Sequence, residues 1–245
     1  MRVMLVGETW ASIGFHSKGF SSYITSGYEE SAAPLIDALE SHVELTYLRN
    51  HEAVKGFPDT PEQLAAYDVI LFSDVGADTL LLHPETMQSH IRPNRLRSVE
   101  QYVQRGGGFG MIGGWMSFAG FDGHARYHRT AIEETLPVRI APYDDRAEVP
   151  EGALTTVLRQ DHPILQGVDG EWPALLGYNR VEAKPGAEVL ATIDGDPLIV
   201  VGTHGAGRSL AFASDCTPHW GPPAFVQWEH YARFWRQLVT WLAGG

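Results

Sequence analysis

The sequence predicts a doubly wound, mostly parallel α/β sheet with antiparallel additions in its C-terminal half. Three observations lead there. β-rich runs alternate with segments of helical spacing through the first half. Some of those runs are apolar throughout, such as Val69-Ile70-Leu71-Phe72, the pattern of a strand buried on both faces. The second half is rich in proline and glycine turns between closely spaced β-rich runs, which predicts hairpins at the sheet edge.

Taken in order, Arg2–Val6 reads as a first buried strand and Val43–Leu48 as a second. Between them Ala33, Leu35, Ile36 and Leu39 share one helix face. Asp68–Ser73 is the third strand. Leu96, Val99, Tyr102 and Val103 form a second helix face that ends at Gly106-Gly107-Gly108, ahead of a fourth strand at Phe109–Ile112. Val189–Ile193, Leu198–Val201 and Ser209–Ala213 are joined by turns at Asp194-Gly195-Asp196 and His204-Gly205-Ala206-Gly207. A last amphipathic helix is expected from about Phe225 to Leu242. Its aromatic residues cover more than one narrow face, which suggests a homo-oligomer contact. No repeat or low-complexity linker divides the 245 residues, so 1–245 is read as one domain.

The formal net charge is −12. That balance repels phosphate backbones and anionic lipid, so neither nucleic acid nor a membrane is an expected partner. No apolar run reaches the roughly 18 to 20 residues that span a bilayer, and the first strand meets Glu8 too soon to be a signal peptide. A single cysteine permits no intrachain disulfide, which fits a cytoplasmic location. There is no phosphate-binding GxxxxGK[ST] loop and no GxGxxG after the first strand. No cofactor and no metal are expected; a small polar molecule is the expected partner.

In open α/β sheets the site lies beyond the carboxyl ends of the strands. That rule selects Glu8, Asp74, the stretch Gly113–Ser117, and Asp215–Trp220. Glu8, His16 and Lys18 are read on one long loop after the first strand, where a carboxylate, an imidazole and an ammonium suit a polar ligand. Ser117 either bonds ligand or caps a helix after the glycine turn. His124 and His128 have helical spacing but no third metal ligand nearby, so a surface turn is favoured. Asp144, Asp145, Arg146 and Glu148 read first as a solvated charge cluster.

The turn Gly110-Met111-Ile112-Gly113-Gly114-Trp115 resembles the nucleophile elbow of class I glutamine amidotransferases. Phe72-Ser73-Asp74, Asp161-His162-Pro163-Ile164-Leu165 and Ser214-Asp215 with Pro218-His219-Trp220 extend the resemblance over nearly the whole chain. They are similar to the "putative glutamine amidotransferase" group of that superfamily, which is related to ThuA-like trehalose-utilisation proteins. The resemblance implies a flavodoxin-like sheet with a sharp turn at Gly113 leading into a helix. It sets Ile112 where the family carries its cysteine, so thioester chemistry on glutamine is not expected. It also lifts Arg146 and Glu148 as site candidates.

Where family members end a strand in His-Pro-Glu, this chain has Asp215 ahead of His219. These two are the expected acid–base pair, with backbone N–H groups near Gly113 for an oxyanion. Glu8, His16, Lys18, Asp74, Gly113, Gly114, Ser117 and Trp220 are the expected substrate-binding residues. Converging carboxylates should raise the proton affinity of His219. Cys216 reads as a buried structural thiol. The functional expectation is altered amidotransferase-like chemistry on a small polar metabolite, such as a sugar. The alternative is a non-catalytic ligand-binding or sensing module.

Overall fold

The computed structural model describes residues 1–244. In chain order its strands are β1 (Arg2–Gly7), β2 (Thr9–Lys18), β3 (Ser21–Glu30), β4 (Glu44–Leu48), β5 (Val69–Ser73), β6 (Gly108–Ile112) and β7 (Val138–Arg139). They continue with β8 (Arg146–Ala153), β9 (Thr155–Val157), β10 (Leu175–Asn179), β11 (Glu182–Ala183), β12 (Glu188–Ile193), β13 (Asp196–His204) and β14 (Gly207–Phe212).

Eight strands make the central sheet, in the order β4-β1-β5-β6-β14-β13-β12-β9. From β4 to β14 neighbours run parallel; from β14 to β9 they run antiparallel. The predicted fold class is thus the observed one. β5 is buried at every position, as its unbroken apolar run requires of a strand with both faces covered. The helix Arg95–Gln104 buries Leu96, Val99, Tyr102 and Val103, and the Asn94 side chain caps it by accepting from the N–H groups of Leu96 and Arg97.

Three local expectations are corrected. The stretch after β1, read as a loop, is a projecting β2–β3 hairpin, because its apolar residues alternate with polar ones at period two. The last helix is interrupted, forming Pro223–Val226 and then Tyr231–Leu242. Its Tyr231, Phe234, Trp235 and Leu238 are buried in this chain, while Trp228 and Trp241 pack against the same core, so this face offers little to a second subunit. The turn after β6 leads into an irregular segment with one short 3-10 turn, Phe121–Gly123, rather than directly into a helix. No helix among the described residues is long and apolar enough to cross a membrane.

Candidate functional site

Two parallel strands end in acidic residues forced into left-handed backbone. Glu8 follows β1 with φ 57°, and Asp74 follows β5 with φ 47°. A side chain in that region carries strain of about 1 to 3 kcal/mol, which the surrounding structure must offset. Here the Glu8 N–H donates to the Ser73 carbonyl at 3.1 Å. Gly7, at φ 124°, lets the strands close at this point; a β-carbon there would fall 1.7 Å from the same carbonyl oxygen.

Glu8 is buried and surrounded by hydroxyl donors: Ser73 to one oxygen, Ser31 at 2.6 Å and Thr217 at 3.0 Å to the other. The same Thr217 oxygen stands 3.2 Å from Asp215 Oδ1. A hydroxyl has one proton, so it can donate to only one of two ionised carboxylates. Asp215 Oδ1 also accepts the Thr217 N–H at 2.9 Å, so it keeps a donor when the hydroxyl turns to Glu8. Burial, then the negative charges of Glu8 and Asp74, push the Asp215 carboxyl well above its ordinary range. Asp74 is pushed up to about 7 by burial and by Glu8, with the Met116 N–H bond opposing.

The three acids border a cavity of about 680 Å³. Trp10, Trp115, Met116, Phe121, His124 and His219 supply much of its wall. Glu148 braces that wall from behind, accepting from the indole N–H groups of Trp115 and Trp220, both at 3.0 Å. Arg146 lies over the Phe121 ring at 3.9 Å and the Trp115 ring at 5.0 Å, and pairs with Asp144 at 2.7 Å. Arg146 and Glu148 thus support aromatic walls, whereas the sequence favoured a solvated cluster.

The glycine turn holds Asp74 in place. Gly114, at φ 148°, puts the chain so close that a β-carbon would meet Asp74 Oδ1 at 2.7 Å. Ser117 accepts from the Asp74 N–H at 3.1 Å and donates to the Ile112 carbonyl at 2.6 Å. Asn179, at the end of β10, accepts from Gly114 N–H at 3.0 Å and donates to Asp145, whose carboxylate also takes the N–H groups of Ala119 and Gly120. Nothing in the sequence singles out Asn179, because its importance comes from strands distant in the chain.

Several expected roles are corrected by this geometry. Gly113 N–H donates to the carbonyls of Phe212 and Ser214, and Gly114 N–H to Asn179, so neither is free for an oxyanion. Ser117 fastens the Asp74 backbone instead of facing ligand or capping a helix. Trp220 is fully buried behind the wall. His16 stacks on Tyr23 along the hairpin, and Lys18 ends β2; at about 3.3 Å per residue both stand roughly 20 Å or more beyond Trp10. Asp215 and His219 border the same cavity, but Asp215 bonds Thr217 while His219 lies 3.7 Å from Glu148. Burial lowers the proton affinity of His219 and outweighs Glu148, opposite to the expected direction. His124 borders the cavity, and His128 instead bonds the Ile140 carbonyl.

Cys216 is buried, 3.8 Å from Glu8 Oε1 and 3.5 Å from Ser73 Oγ. Burial and the charges of Glu8 and Asp215 push its thiol well up, so it stays protonated and a poor nucleophile. Glu8, Asp215 and Cys216 offer ligand atoms within 4.8 Å of one another. The Glu8 oxygens, however, are already engaged by three hydroxyls, which makes the cluster a hydrogen-bonded proton network.

Comparison with known proteins extends over the whole chain. A family model described as "Putative glutamine amidotransferase" matches residues 2–244. Two solved structures from Salmonella typhimurium, named Cytoplasmic Protein STM3548 and Cytoplasmic Protein STM1381, are 40% and 44% identical. Each has a TM-score of 0.95, with 99% of both chains covered. A ThuA-like protein from Parabacteroides merdae shares the fold at 13% identity and TM-score 0.55, over 99% of this chain and 89% of its own. No curated protein matches the sequence.

Proposed function

The chain belongs to the glutamine amidotransferase-like family that this model describes, and from that premise we propose that it works as a cytoplasmic acid–base enzyme on a small, uncharged polar metabolite. The observation that carries the reading is the convergence of Glu8, Asp74 and Asp215 on an aromatic cavity. A site already holding excess negative charge disfavours an anionic ligand. Indole and phenyl walls suit the apolar faces of a ring, and carboxyl groups suit its hydroxyls; a sugar or related polyol has both features.

Two neighbouring acids with different proton affinities can divide the roles of acid and base. Asp215, whose carboxyl is pushed well above its ordinary range by burial, is placed to donate. Asp74, poised near 7, is placed to accept, in the range where a base is both available and effective. His219, neutral and on the same wall, orients ligand by hydrogen bonding. The thioester route is set aside because Ile112 ends β6 as a buried hydrocarbon and Cys216 stays protonated.

The occupied N–H groups of Gly113 and Gly114 favour a second reading, a binding module without turnover. Screening sugars, polyols and neutral amides by thermal shift, then assaying the hits for turnover, separates the two. Under the enzymatic reading, Asp74→Asn and Asp215→Asn abolish turnover and retain ligand binding. Hits that bind yet are recovered unchanged would leave the binding reading standing. Hits confined to anionic ligands would defeat both.

A further inference from the structure

The β2–β3 hairpin bonds only to itself among the strands of the structure. A lone two-stranded hairpin is marginal in water; it needs further strands or another packed surface on its apolar face. This one has such a face. The register pairs Ala11 with Tyr28, Ile13 with Ser26 and Phe15 with Ile24, so these six side chains share one side. Ile13 is 78% exposed, Phe15 71%, Ile24 68% and Tyr28 50%. The opposite side, including Ser12 with Gly27 and Lys18 with Ser21, is mostly polar.

We propose that this face is covered by the same face of a second copy of the chain, the two arms packed tip to root about a two-fold axis at Ile13. The pattern along the arm supports that occupant. Its root row is Thr9 with Glu30, its tip row Ser17 with Ser22, and the apolar rows lie between them, centred on Ile13 and Ser26. A two-fold at the centre therefore sets polar rows on polar rows. It stacks Ala11 and Tyr28 of one arm on Phe15 and Ile24 of the other, the self-matching an isologous contact requires. The four most exposed apolar side chains offer on the order of 500 Å² per copy at about 200 Å² each. A standard interface takes roughly 800 Å² per partner, a little over half of it apolar, so the face has the area a stable dimer needs.

The arrangement bears on the site. The arm is rooted just after Glu8, with Trp10 on its first strand and Ser31 just beyond its second, all on the cavity border. Tip-to-root packing brings the tip row, Ser17 with Ser22, and Phe20 beyond it to the root of the partner's arm.

Light scattering of the full chain at tens of micromolar tests the contact. The expected mass is two or more copies of 27.0 kDa, falling to one copy in Phe15→Asp/Ile24→Asp with an unchanged circular-dichroism spectrum. A monomeric wild type, or an unchanged mass in the double variant, overturns the proposal. Should that variant fail to fold, single cysteines decide. Mild oxidation should link Ile13→Cys to itself across the axis and leave Phe20→Cys, at the tip, unlinked; the reverse result overturns the tip-to-root arrangement.

Discussion

Asp74→Asn should make the protein more resistant to alkaline pH. A carboxyl whose pKa is raised by folding binds its proton more tightly in the folded state. Its contribution is fully present below the open-chain value of 3.8 and is lost as pH rises through the folded value of about 7. Linkage then gives a cost of about 2 kcal/mol at pH 5 and about 4 kcal/mol at pH 8. Both are upper values, since one side of Asp74 faces the cavity and its water. Asparagine suits the left-handed backbone at φ 47° and can still accept the Met116 N–H, so the substitution removes the charge and little else. Thermal unfolding of both proteins should give midpoints that diverge by roughly 4 to 8 °C between pH 5 and pH 8, the variant gaining. A gap that stays constant with pH, or one that widens in favour of the wild type, would refute the assignment of a raised proton affinity to Asp74.

Four other outcomes are expected. Incubation with glutamine should release no ammonia above a buffer blank; release abolished by Cys216→Ser would restore the thioester route. The Cys216 thiol should react with a disulfide reagent only after denaturant is added, and rapid native reaction would contradict its burial. Asn179→Ala, which orphans Gly114 N–H and removes a donor to Asp145, should cost about 2 to 4 kcal/mol in chemical denaturation; a loss below 1 kcal/mol would show that the turn holds itself. Gly114→Ala should both lower the thermal midpoint and weaken binding of any identified ligand, because its β-carbon meets Asp74; a variant with wild-type affinity would remove Gly114 from the site.

The parallel sheet was legible in the sequence because buried parallel strands write themselves as unbroken apolar runs, as β5 does at Val69–Phe72. The carboxyl-end rule then reached Glu8, Asp74 and Asp215 without knowing their contacts. The reading failed where distance along the chain and distance in space part company. Thr217 bridges Glu8 and Asp215 across 209 residues in one bond and two in the other, and no local pattern marks such a bridge. Asn179 and Glu148 act through the same kind of long-range meeting. The β2–β3 arm was missed for a different reason. Its period-two alternation was present, but Ser, Gly and Thr between the apolar residues looked like loop composition. His219 was misjudged because burial, invisible in sequence, outweighs the nearby carboxylate.

Glu148 lies on β8, in the antiparallel portion of the molecule, and fixes the rings of Trp115 and Trp220. Two of the three acids, Glu8 and Asp74, hang from the parallel strands instead. The carboxylate that braces the aromatic wall and two of the acids that border the cavity are therefore built on different parts of the framework. Exchanging Arg146 and Glu148 alone should then reshape the aromatic wall and leave in place Asp145, which anchors the turn beside Asp74.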